Sequence, residues 1–135
     1  MTMDLKELSR EDCFVTTTRF SVELCNKNLG YLFVFGDNEQ RIGKGGQAII
    51  RGCPNTIGLR TKRSIAEFWT DRDYHRNCKL IDEDIHSILS ALYLGYRIVF
   101  ASSGYGNGLA ELPTRAPETY LYLKNKLDDY FGFTF

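Results

Sequence analysis

Residues 33–50 read FVFGDNEQRIGKGGQAII. The run Tyr31–Phe35 that opens this stretch is aromatic and branched apolar without a polar break, as in a strand buried on both faces, and it stops at Gly36-Asp37-Asn38. Three glycines, Gly43, Gly45 and Gly46, then fall within four positions, ahead of a short helix expected over Gln47–Arg51 and ended by Gly52 with Pro54 beyond. A loop that only reverses the chain needs one or two turn residues. Repeated glycine lets several backbone N–H groups converge on one object, and an anion suits converging donors.

Working outward, the chain alternates elements. Cys13–Thr18 reads as a first strand and Phe20–Lys27 as a short helix or turn, while Thr56–Arg60 reads as a second core strand. Lys62–Asn77 mixes charge and aromatics without periodicity and reads as an irregular excursion. Leu80, Ile81, Ile85, Ile88, Leu89 and Leu92 recur at helical spacing. Arg97–Ala101 is a strand that runs into SSGYGNG, after which Thr114 is placed to cap a helix whose Ala116, Tyr120, Leu123 and Leu127 share a face, with Pro117 in its first turn. Tyr130–Phe135 is apolar enough for a final strand. The pattern predicts an α/β domain over 1–135, a three-layer α/β/α arrangement on a mixed, mostly parallel sheet.

Composition narrows the partners. With 135 residues, 43% of them apolar, the chain can bury one real core. Lys plus Arg and Asp plus Glu are 17 each, so no overall field draws it to a nucleic-acid backbone or an anionic membrane, and a nucleotide would be held locally. Cys13, Cys25, Cys53 and Cys78 have neither zinc-site spacing nor a compact disulfide pattern, and the start of the chain lacks the look of a leader. The expectation is a soluble, cytoplasmic protein with reduced cysteines, no membrane partner, no metal and no resident cofactor.

Two glycine-rich segments thus follow two strands and lead into helices. In open α/β sheets, ligands collect outside the carboxyl ends of strands, so both loops could border one crevice. A single such loop is more often a plain surface turn, but two at matching topological positions favour a site. Neither has P-loop or dinucleotide spacing. Gly45, Gly46 and the Gln47 helix start would face a pyrophosphate from one side, and Ser103, Gly104, Tyr105, Gly106, Asn107 and Gly108 from the other. Asn38 suits a ribose hydroxyl, Asp37 could orient a water, and the Tyr105 side chain would overhang the crevice. Turn chemistry is the plain alternative for Asp37 and Asn38. Phe68, Trp69 and Tyr74 either cover an adenine or fill a satellite core.

FVFGDNEQRIGKGGQAII resembles the macrodomain segment in which a strand ends in an Asn-containing turn and a glycine loop opens a helix. IVFASSGYGNGLAELP, residues 98–113, resembles the macrodomain loop that wraps the diphosphate of ADP-ribose. The likeness spans about Tyr31–Leu127. It is closest to the branch of terminal ADP-ribose glutamate hydrolases and of antitoxin macrodomains of DNA-modifying toxins, where an Arg-x-Gly-x-Gly segment stands as Arg41-Ile42-Gly43-Lys44-Gly45 does here. Small bacteriophage proteins are similar as well.

The resemblance implies binding of ADP-ribose or another NAD-derived nucleotide, with Arg41 and Gly43 in the binding loop. It implies for Lys62 the role of a nucleophile at the distal ribose, assisted by an acid after the second loop. Ala110 falls where that acid belongs and Glu111 stands one residue later, leaving Glu111 or Asp37 to assist. The plain alternative for Lys62 is a solvated charge in its Arg60–Arg63 run. Two functions stay open: hydrolysis of an ADP-ribosyl bond, or a non-catalytic module that sequesters a nucleotide signal or recognises ADP-ribosylated protein or nucleic acid.

Overall fold

The computed structural model describes residues 3–135, so residues 1 and 2 of the expected domain lie outside the described residues. Strands β1 (Lys6–Glu7), β2 (Cys13–Thr16), β3 (Tyr31–Asn38), β4 (Thr56–Lys62) and β5 (Arg97–Ala101) form one sheet in the order β1-β2-β5-β3-β4. The short β1 runs antiparallel to β2, and every other pairing is parallel. The α/β class with a mixed, mostly parallel sheet is therefore present. Strands β3 and β5 are buried on both faces along almost their whole length, which is why they read as unbroken apolar runs.

Helices α1 (Val22–Asn26), α2 (Tyr74–Tyr93), α3 (Leu112–Arg115) and α4 (Pro117–Phe131) cover the sheet. Phe33 meets Phe20, just ahead of α1, edge to face, and Phe33 pairs with Val99 on the same sheet face. Phe100, one residue on, points to the opposite face and packs on Phe131 of α4. Helix α2 packs on β4 and on α4 and buries its Ile81, Ile85, Ile88 stripe, while α4 buries Leu123, Leu127 and Phe131. Right-handed crossovers require this division, because the chain moves one way across the sheet from β2 to β4 and back from β4 to β5. No helix among the described residues is long and apolar enough to cross a membrane.

Three local expectations are corrected. The excursion from Lys62 is shorter than its composition suggests: β4 extends to Lys62, and α2 begins at Tyr74, six residues before its apolar stripe. Thr114 caps nothing, since its hydroxyl donates to Glu111 O within the single-turn α3. Asp71 instead reaches across from the preceding segment and accepts from the backbone N–H of Glu118 and Thr119 at 2.9 and 3.0 Å, so the cap of α4 comes from 47 residues away. The tail is no strand. Helix α4 continues to Phe131, Gly132 ends it in the left-handed region at φ 69°, and Phe133 and Phe135 then stack on each other with centroids 5.2 Å apart, Phe133 also on Phe100 at 5.0 Å. Their alternation plugs one end of the core instead of pairing with an edge.

Candidate functional site

The carboxyl ends of β3, β4 and β5 feed connections that leave on opposite faces of the sheet, and the crevice so created is a cleft of about 630 Å³. Its lining comes from Gly36–Asn38 at the end of β3, from Thr61 and Lys62 at the end of β4, from Ile42, Gly43, Gly45–Ala48 and Arg51, from Ile65 and from Ser103–Ala110. The two glycine loops, 60 residues apart in sequence, therefore border one cavity. A register shift between β3 and β4 at Asp37/Asn38 pairs Asn38 with Lys62 and skips Thr61. This bulge brings both Thr61 and Lys62 to the cleft.

Gln47 joins the walls. Its Oε1 accepts from Gly36 N at 2.8 Å and its Nε2 donates to Gly104 O at 2.8 Å, so one side chain ties β3, the first loop and the second loop together. Gly46–Ile50 is a 3-10 turn, tighter than the helix expected over Gln47–Arg51. Among the described residues, no protein acceptor takes the backbone N–H of Gly45, Gly46 or Gln47, nor those of Tyr105, Gly106, Asn107 and Gly108. All seven belong to residues that line the cavity. Positive φ at Gly106, 81°, gives the second loop its turn, and Leu112 packs so closely there that a Cβ would meet Leu112 Cδ1 at 2.5 Å.

The polar residues near the cleft are less free than the sequence suggests. Asp37 is buried and ion-paired: its carboxylate accepts from Arg41 Nη1 at 3.0 Å, from both terminal nitrogens of Arg51 and from Asn38 N at 2.8 Å. Gly58 on β4 leaves room for it, because a Cβ at Gly58 would collide with Asp37 Oδ2. Arg51, unremarked in the sequence, also donates to Gly43 O at 2.7 Å and Ile42 O at 3.2 Å, shaping the first loop. Asn38 does turn chemistry, with Oδ1 accepting from Gln40 N and Nδ2 donating to Ile42 O. It still lines the cleft.

Three expected contributors stand differently. Arg41, at φ 58°, turns out of the cleft and donates to Gly58 O and to the buried Asp84 of α2, which also holds Arg60. Its role is to brace the loop from behind. Tyr105 lines the cleft through its backbone, but its ring lies in the core: the hydroxyl donates to Val34 O at 2.7 Å and accepts from Ala101 N at 2.8 Å, filling the gap where β3 and β5 diverge. Burial pushes its phenol pKa far up, so it stays neutral. Glu111 lies outside the lining, exposed at φ 52°, with Oε1 on Arg115 Nε at 3.1 Å. The one-residue displacement thus separates it from the cleft.

Lys62 does line the cavity, with Nζ donating to Ile65 O at 2.6 Å and lying 4.7 Å from the centre of the Phe68 ring. Arg115 covers the same ring at 3.6 Å. Of the three aromatics considered for a base, Trp69 belongs to the core and donates to Glu39, Tyr74 packs on Tyr122, and Phe68 is the one clamped between cations. None of the three is part of the lining. The apolar lining residues Ile42, Ile65 and Leu109 had no functional reading in the sequence; their signal was apolar character inside otherwise polar loops.

No curated protein and no solved structure matches the chain. The profile of a family of unknown function, DUF7831, matches residues 15–126, from within β2 to within α4 and across both glycine loops, and the chain belongs to that family.

Proposed function

We propose that this is a macrodomain-like protein whose cleft binds ADP-ribose or a related NAD-derived nucleotide, with the diphosphate held by backbone amides. The observation that carries the reading is that two distant glycine loops, whose backbone N–H groups lack protein partners, line one cavity at the carboxyl ends of parallel strands. The cavity is of ordinary ligand size. Lys62 and Arg51 add positive charge, and the one carboxylate in the described lining, Asp37, is neutralised by two guanidinium groups. An anion is therefore not repelled.

The same fact favours binding without turnover over hydrolysis. A hydrolase needs a carboxylate free to take or give a proton. Asp37 is committed, Glu111 is outside, and the Lys62 amine is tied to its own loop. The function supported best is a module that holds a free nucleotide or the terminal ADP-ribose of a modified protein or nucleic acid. Calorimetry with ADP-ribose tests it, together with Gly45→Val, whose backbone at φ −78° accepts a side chain and whose Cβ would meet only Leu109 Cδ1, at 3.3 Å. Wild type should bind, Gly45→Val should fold normally and bind at least about tenfold more weakly, and neither should release ADP-ribose from modified protein or DNA. Absence of binding at millimolar ligand would remove the reading, and catalytic release would overturn its non-catalytic form.

A further inference from the structure

The cleft carries an unexplained apolar mouth. Ile42, Ile65 and Leu109 line it while remaining 49%, 58% and 66% exposed, a cost in water that loops with polar neighbours normally avoid. Two of them approach the first glycine loop from different segments: a Cβ built on Gly43 would lie 3.1 Å from Ile65 Cδ1, and one on Gly45 would lie 3.3 Å from Leu109 Cδ1. Ile65 is held in place by a compact turn, in which Arg63 N and Ser64 N donate to Glu67 O and Lys62 Nζ donates to Ile65 O. Leu109 extends the second loop. The amides that would take phosphate and the aliphatic groups that would take something flat and apolar are thus side by side.

We infer that Ile65 and Leu109 form an aliphatic clamp for the base of the bound nucleotide, one that grips the faces of the ring and leaves its edge unread. This rests on the nucleotide reading of the cleft. Most polar side chains near the mouth are already engaged: Gln47 and Asn38 at both ends of their amides, Lys62 on Ile65 O, and Arg51 on the first loop and Asp37. Ser103, which only accepts from Gln47 Nε2 at 3.5 Å, and Asn107, whose Nδ2 donates to Ser103 O, keep spare capacity but are exposed to water. Discrimination between bases comes from buried donors and acceptors that a wrong edge leaves unpaired, whereas apolar contact discriminates poorly between groups of similar shape. The clamp therefore supplies affinity without base selectivity. Lys62 becomes a positioning residue that holds Ile65 over the cleft.

The test is a calorimetric comparison of ADP-ribose, its guanine and hypoxanthine counterparts, and inorganic pyrophosphate, on wild type, Ile65→Ser and Leu109→Ser. Both substituted side chains are exposed, so the fold should persist. The three base-bearing ligands should bind wild type within about threefold of one another, and each variant should weaken all three by about tenfold while leaving pyrophosphate within about twofold. A preference beyond about tenfold for one base, or variants that bind like wild type, would overturn the clamp. Pyrophosphate binding as tightly as ADP-ribose would also overturn it while leaving the anion cleft standing. Failure of every ligand to bind would remove both.

Discussion

Replacing Asp37 by asparagine separates a structural carboxylate from a catalytic one. In the folded protein its two oxygens receive three guanidinium donations, from Arg41 and Arg51, and the N–H of Asn38. The amide would turn an NH2 toward at least one guanidinium and remove the charge that both face. A charge pair about 4 Å apart is worth about 4 kcal/mol at an effective dielectric constant near 20. The Arg41 side chain is 42% exposed and shares Asp84, so its pair counts for at most about 1 kcal/mol after solvent screening. Arg51, 19% exposed, retains more of its pair, and the total loss should be about 2–4 kcal/mol. For a chain of this size that lowers Tm by about 6–16 °C. Urea unfolding followed through the buried Trp69, the one tryptophan, reads this directly. A loss below about 1 kcal/mol, or full stability with loss of an ADP-ribosyl hydrolase activity alone, would refute the structural assignment and return Asp37 to the role of base.

Gly106→Ala should destabilise by about 2–4 kcal/mol in the same assay, combining a left-handed φ with the clash against buried Leu112, so that its loss of ligand binding tracks its loss of folded protein; an unchanged midpoint would show that the loop yields. Lys62→Ala should weaken ADP-ribose by about the same factor as Ile65→Ser in calorimetry, whereas Glu111→Ala should leave affinity within about twofold, because it removes only an exposed pair with Arg115. Asp4 ties the amino-terminal segment to the end of β2. Hydrogen bonds from the hydroxyls of Thr17, Thr18 and Thr16 hold its carboxyl well below the usual carboxylate range. A depressed folded pKa gives stability that is present above the unfolded pKa of about 3.9 and lost as pH falls through the folded value. The stability advantage of wild type over Asp4→Asn should therefore be full at pH 7 and shrink below about pH 4 in parallel urea titrations.

Strands β3 and β5 and helices α2 and α4 were legible because burial on both faces, or along one helical stripe, leaves its mark in composition and spacing. The two glycine loops were legible for a related reason, since each ends a readable strand. What was hidden depends on residues that meet only after folding. Nothing near Arg41 signals that Asp84, 43 positions away, will draw it behind the loop, and nothing near Gly58 signals that its missing side chain makes room for Asp37. Tyr105 sits between two glycines in what reads as a surface turn, yet the divergence of β3 and β5 opens a slot with one unpaired donor and one acceptor, and its hydroxyl satisfies both. The tail misled through its apolar content, which stacking on Phe100 exploits as well as a strand would.

The convergence of both loops on one anion is tested most directly by following backbone amide resonances while ADP-ribose is titrated into isotope-labelled protein. The amides of Gly45, Gly46 and Gln47 should move together with those of Gly106, Asn107 and Gly108, along one saturation curve, and inorganic pyrophosphate should move the same set. Shifts confined to one loop, two different saturation curves, or no shift at millimolar ligand would contradict a shared diphosphate site.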